Sequence, residues 1–227
     1  MPLQFLHIGK TGGSFVRAVV NALPPEHRAE FRLLHHDAKL TQALETRPGM
    51  PVFFSVRRPE TLFVSAFNSR LRMGRPLYDR SWSSREEIAF SVFETPNQLA
   101  EALSSEDPYA QGCARLSMFA INHVRQGLRW YLVDVENLER HRDRIAFVLL
   151  QERLEDDLRA FASRMGIPLD PAAEVFGERV HGAHEASETT LSEVGRANVR
   201  DWYRTDLEIY DWCVQFHDRL LDGAAAG

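Results

Sequence analysis

The chain has 227 residues, of which 44% are hydrophobic and 26% charged, ordinary proportions for a globular protein long enough to bury a sizeable core. Its formal net charge of −5 argues against a general nucleic-acid binder, which would be basic. It leaves room for a local anion site, whose field depends on where charges sit rather than on their sum.

Two cysteines, Cys113 and Cys213, supply neither a disulfide framework nor metal-ligand spacing. Both read as small apolar residues in a reducing compartment. The first strand begins by residue 3, and no stretch approaches the ~18 consecutive apolar residues of a membrane span. The expectation is a cytoplasmic protein without membrane insertion.

Leu3, Phe5, Leu6 and Ile8 form a nearly continuous apolar run, the pattern of a central parallel strand covered on both faces. Phe15, Val16, Val19, Val20 and Leu23 then follow at roughly helical spacing, stopped by Pro24-Pro25. Phe31 to Leu34 reads as a second strand and leads into His35-His36-Asp37. A short helix over 41–44 precedes a strong strand over 51–56, rich in β-branched and aromatic residues. Arg57-Arg58-Pro59 follows, with Pro59 suited to the first position of a helix over 60–73.

Residues 74–108 are the least regular. A capped helix start is expected at Ser84-Arg85-Glu86-Glu87, a short helix over 97–103 and a longer one over 110–124. The segment 129–133 is ambiguous and 136–144 reads as helical. A buried strand over 145–150 leads to an amphipathic helix over 152–165, with Leu154, Leu158, Phe161 and Met165 on one side and Gly166 and Pro168 at its end. Residues 170–190 are loop-like, a final helix with room for a break covers 191–221, and 223–227 reads as a disordered tail. With no repeat and no linker, 1–222 reads as one domain.

Strands alternating with helices imply a parallel sheet with helices on both faces, and such sheets bind ligands outside the carboxyl ends of their strands. Lys10, the pair His35 and His36, and Arg57 each follow a strand directly, so all share that rim. Between the first strand and helix lie Lys10, Thr11, Gly12, Gly13 and Ser14. Glycines let backbone N–H groups approach a ligand, a helix N-terminus favours an anion, Lys10 adds a full charge, and Thr11 and Ser14 add hydroxyls. This is a cradle for phosphate or sulfate. Gly9-Lys10-Thr11 superficially matches the end of a nucleotide P-loop, but that motif needs a glycine where Gln4 stands.

The order K-T-G-G-S, entered directly from a strand, resembles instead the 5′-phosphosulfate loop of sulfotransferases that use 3′-phosphoadenosine 5′-phosphosulfate (PAPS). Arg57-Arg58-Pro59 with Ser65-Ala66-Phe67 resembles that family's 3′-phosphate motif. Arg58 stands where an acidic residue is usual and Leu62 where an arginine is common. The segment 147–158 and the closing 202–210 are similar to later stretches of the family, so the resemblance spans residues 3 to about 216 with little support over 74–130.

The resemblance implies an α/β, three-layer P-loop-like fold with a central parallel sheet flanked by helices. It implies transfer of a sulfuryl group from PAPS to a hydroxyl of a carbohydrate or small-molecule acceptor, with adenosine 3′,5′-bisphosphate (PAP) as product and no metal. Lys10 would stabilise the leaving phosphate and Thr11, Gly12, Gly13 and Ser14 bind the 5′ group. Arg57 and Ser65, with Arg179 as a further contact, would bind the 3′-phosphate. The general base is His36, with His35 as competitor and Asp37 able to orient a neighbouring imidazole. Residues 74–130 would form the acceptor side, with Trp82, Arg70, Arg72 and Arg75 along it unless those arginines are simply solvated. Two readings compete: a P-loop nucleotide kinase or NTPase, and a non-catalytic protein that binds PAP or a nucleotide. No nucleic-acid partner is expected, and the sequence sets no oligomeric state.

Overall fold

The structure, a computed structural model, describes residues 2–173, 175 and 190–225. Arg179 lies outside the described residues. In chain order the elements are β1 (Leu3–Leu6), α1 (Gly13–Ala22), α2 (Pro25–Arg28), β2 (Phe31–Leu33), α3 (Leu40–Thr46), β3 (Val52–Val56), α4 (Pro59–Leu71), α5 (Ser84–Val92), α6 (Pro96–Ala102), α7 (Pro108–Ala120), α8 (Asn122–Arg125), α9 (Leu128–Leu132), α10 (Val135–Arg140), β4 (Ile145–Leu150), α11 (Leu154–Met165), α12 (Glu193–Trp202) and α13 (Arg204–Ala225).

Local chemistry accounts for most boundaries. Pro59 opens α4, where its missing N–H costs nothing, and Gly166 closes α11 in the left-handed region at φ 65°. The cap of α5 is Ser83 rather than Ser84. Its hydroxyl accepts the Glu86 N–H while the Glu86 carboxylate accepts the Ser83 N–H, a reciprocal box. Where one helix is expected over 110–124, the chain breaks at Ile121, which is extended. The Glu86 carboxylate takes the Asn122 N–H and starts a new turn there. The ambiguous 129–133 segment becomes α9. The last helix runs to Ala225, past the expected end at 221.

The chain forms two compact units. The first comprises Met1–Arg57, Tyr131–His184 and Glu208–Gly227; the second comprises Arg58–Trp130 and Glu185–Leu207.

The first unit is built on a parallel sheet of order β2-β1-β3-β4. Phe5 pairs with Phe53 and Phe53 with Phe147, with an irregularity between Val52 and Phe53. Leu3, Phe5, Phe53, Phe147 and Leu149 line one face and pack against Val16 and Val19 of α1 and Leu154, Leu158 and Phe161 of α11. Phe53 and Phe161 stack with ring centroids 4.7 Å apart. Each such fully buried aromatic contributes roughly 1.5–3 kcal/mol. On alternate positions Gln4 is fully buried, and its amide donates to the carbonyls of Ala43 and Met50 at 3.2 and 3.0 Å, so α3 covers the opposite face. This is a mixed α/β fold with a small parallel sheet flanked by helices. The order makes β2 lie to one side of β1 and β3 to the other, so the topological switch point falls between the carboxyl ends of β1 and β3.

The second unit is helical. Phe63 and Phe67 of α4, Phe90 of α5, Leu99 of α6, Met118 of α7 and Val199 of α12 share one core. Arg70, placed by its sequence neighbourhood on the acceptor side, is only 2% exposed. Its guanidinium holds both oxygens of the buried Glu86 at 2.7 and 3.0 Å and donates to the carbonyls of Arg80 and Ser81. Arg70 is therefore neither a ligand-facing arginine nor a solvated one. Arg75 pairs with Asp79 on the surface, and Arg72 is exposed. Trp82 is half-buried and donates its indole N–H to the Arg70 carbonyl at 2.7 Å. Among the described residues no helix is long and apolar enough to cross a membrane.

Candidate functional site

The loop between β1 and α1 sits at the switch point, and its shape follows from its glycines. Lys10 and Gly12 are both left-handed, at φ 64° and 88°. At Lys10 that conformation is rare for a residue with a Cβ and marks a site held under strain. Gly12 precedes α1 without a side-chain cap. Its carbonyl accepts the N–H groups of Phe15 and Val16. Residues 9–12 form a turn that runs directly into α1, whose first N–H groups have no acceptor within the helix itself. Left-handed residues set among right-handed ones can turn backbone N–H groups toward one point, the general form of an anion-binding nest.

Neighbouring groups hold the loop from below. A Cβ at Gly12 would come within 2.4 Å of Leu154 Cδ2, and one at Gly13 within 2.2 Å of His7 Cδ2, so a side chain at either place would force Leu154 or the His7 ring to move. The Thr11 side chain is fully buried. Its hydroxyl donates to the Ile8 carbonyl at 2.9 Å and accepts from Ser55 Oγ at 2.8 Å, since each hydroxyl has one proton to give. Thr11 thus ties the loop to β3 and offers an anion its backbone N–H, not the hydroxyl expected from the sequence. The Ser14 side chain is exposed.

Arg57, at the carboxyl end of β3, donates from Nη1 to the Lys10 carbonyl at 3.4 Å. Two of the expected cationic residues are therefore brought together. Burial lowers the Arg57 pKa, and the carboxylate of Glu152 opposes it; a guanidinium stays charged regardless. Ser65 lies half-buried on α4, in the second unit.

Beyond β2, the rings of His35 and His36 lie 4.2 Å apart. Asp37 binds His35, with Oδ1 2.8 Å from Nδ1, and that hydrogen bond holds the Asp37 carboxyl below its usual range. The carboxylate therefore orients His35. A cavity of about 360 Å³ is lined by His35 and Asp37 together with Arg32, Gln42 and Thr46.

Three further groups support the loop; of these the sequence points only to His7, read as a satisfied buried group inside the first strand rather than a catalyst, and that strand in fact ends at Leu6. Tyr131, only 1% exposed, accepts the Gly9 N–H at 3.2 Å, and burial raises its pKa. His7 sits beneath the start of α1, stacked 5.9 Å from Phe5. Burial, reinforced by Arg17, His36 and His35, lowers its pKa from 6.5 to about 4, so it is a neutral packing group. Arg17 donates to the Leu34 carbonyl at 3.1 Å and anchors α1 beside the His35 turn. The apolar residues on either side of His7 signal its packing role; nothing local signals Tyr131.

No family model, curated protein or solved structure matches the chain. Among the described residues there is no group of three or more His, Cys, Asp or Glu placed to hold a metal ion.

Proposed function

We propose that the protein is a PAPS-dependent sulfotransferase with a P-loop-like fold, acting on a hydroxyl of a carbohydrate or small molecule. The observation that carries this reading is the glycine-containing turn at the start of α1, with Lys10 and Gly12 left-handed and Arg57 on the Lys10 carbonyl, at the switch point of a parallel sheet. It is a site for a multiply charged oxyanion, entered by a lysine that precedes the glycines.

In this reading the N–H groups of Thr11 to Ser14 hold the 5′-phosphosulfate and Arg57 takes the 3′-phosphate. Lys10 faces the bridging oxygen, where negative charge grows as the S–O bond breaks. The acceptor hydroxyl gives its proton to an imidazole on the wall of the cavity beside β2. His35, oriented by Asp37, and His36 beside it are the two base candidates. PAPS supplies the sulfuryl group and PAP leaves; the protein binds, orients and accepts the proton.

The test is calorimetric titration of the intact protein with PAP in the absence of metal, beside Lys10→Ala and Arg57→Ala. Micromolar binding is expected, weakened about 10- to 100-fold in Arg57→Ala, the range for losing a charged hydrogen-bonding partner. A thermal melt run alongside checks that the variants fold. Absence of PAP binding with tight, magnesium-dependent ATP binding would replace this reading with a nucleotide kinase. PAP binding with no sulfuryl transfer to any acceptor would leave a binding protein.

A further inference from the structure

The second unit holds a cavity of about 440 Å³ between the end of α4, the loop before α5 and the α7–α8 junction, with Arg80, Arg85, Arg125, Trp82 and Phe119 among its lining residues. We infer that this cavity is a binding site for a compact oxyanion that carries a flat apolar ring, such as an aryl phosphate or an aromatic carboxylate. The inference stands apart from the reading of the β1–α1 loop and uses none of its residues.

The frame of the cavity is rigid and electrically settled. Arg70 spends four of its five N–H groups on Glu86 and on the carbonyls of Arg80 and Ser81. Both Glu86 oxygens are filled by Arg70, by the Ser83 N–H and hydroxyl and by the Asn122 N–H. Burial pushes the Glu86 carboxyl up, but Arg70 and these amides more than offset it and hold its pKa at about 2. Among the described residues, Glu86 is the one carboxylate lining the cavity, and it is already neutralised by a partner charge and saturated with donors.

What remains at the mouth is positive. Arg80, Arg85 and Arg125 are exposed. Arg125 is held by Asn122, which accepts from its Nε and Nη2 at 3.2 and 3.0 Å, leaving the other guanidinium N–H groups in a fixed fork suited to a carboxylate or phosphate. Three arginines around one cavity stand out in a chain whose net charge is −5. Phe119, 66% exposed, and the half-buried Trp82 give the wall an apolar face. Aromatic side chains stack on flat rings, and cavities that combine such walls with a few fixed polar groups are the usual form of small-molecule sites.

The experiment is calorimetric titration of the intact protein with phenyl phosphate, with inorganic phosphate and benzyl alcohol as single-feature controls, beside an Arg85→Gln/Arg125→Gln variant. Both arginines are exposed and outside the Arg70–Glu86 frame, so the variant is expected to fold and to bind PAP as the parent does. Phenyl phosphate is expected to bind more tightly than either control, to weaken with added salt, and to lose at least tenfold in affinity in the double variant. Unchanged affinity in that variant, or loss of phenyl phosphate binding in Lys10→Ala with the double variant intact, would overturn the assignment. Because PAP binding is read on the same samples, failure of this site and failure of the loop reading are separable.

Discussion

His7 gives the sharpest test of how the loop is supported. Its imidazole is half-buried under the first turn of α1, against Gly13 and among Arg17, His35 and His36. Folding therefore lowers its pKa from 6.5 to about 4. The unfolded chain binds the proton more tightly than the folded one, so stability falls as the pH drops from 6.5 toward 4 and loses nothing more below that. At pH 4.5 nearly all unfolded molecules carry this proton and only about a quarter of folded ones do. At about 1.4 kcal/mol per tenfold change in proton affinity, the protein loses about 2.5 kcal/mol through His7 between pH 7.5 and pH 4.5. His7→Gln keeps a polar side chain of similar length and cannot titrate. Urea unfolding of both proteins at both pH values isolates the contribution, because every other carboxylate and histidine is common to the pair. The parent should lose about 2 to 3 kcal/mol more than the variant over that interval. Equal losses would show that His7 is not held neutral and that the burial argument is wrong.

Three other perturbations test separate parts of the structure. Gly12→Ala places a Cβ at φ 88° and 2.4 Å from Leu154 Cδ2. It should cost about 2–5 kcal/mol, the sum of left-handed strain and overpacking, falling to about 1–2 kcal/mol when measured in a Leu154→Ala background; the same cost in both backgrounds would refute the clash. Breaking the buried Arg70–Glu86 pair with Arg70→Met should cost about 3–5 kcal/mol. Arg70→Met/Glu86→Leu should then cost less than the sum of the single changes by at least about 1 kcal/mol in urea unfolding, and strict additivity would argue against the pair.

Asp206 accepts the Arg129 N–H at 3.1 Å, and burial pushes its pKa from 3.8 up to about 6. The folded state therefore binds its proton more tightly, and stability is lost as pH rises from 3.8 through 6. Asp206→Asn keeps the acceptor oxygen and should be more stable than the parent at pH 8 by up to about 3 kcal/mol, with little difference at pH 3.5. A variant less stable than the parent at pH 8 would overturn this.

The sequence by itself determined what depends on local periodicity and backbone preference. The run from Leu3 to Ile8, the apolar strands 52–56 and 145–150, Pro59 at the head of α4 and Gly166 at the end of α11 were all legible, because each is set by residues within one turn or one strand. So was the approach of Lys10 and Arg57, since both follow parallel strands and must emerge on one rim.

Tertiary structure alone decided which partners cover each face. Arg70, Arg72 and Arg75 are chemically alike on paper, yet only Arg70 is buried. Its spacing from Phe63 and Phe67 puts it on the core face of α4, a hint that becomes meaningful only once Glu86 is known to wait there. The sheet order placed Ser55 against the Thr11 hydroxyl and so turned a candidate ligand group into an anchor. Tyr131 reached Gly9 across 122 positions in the chain, from a segment with no clear period. Asp37 reached His35 through the geometry of one turn. Periodicity reports that a face is buried; which side chain meets it is set by packing between elements far apart in sequence, and hydrogen bonds and pKa values follow from that choice.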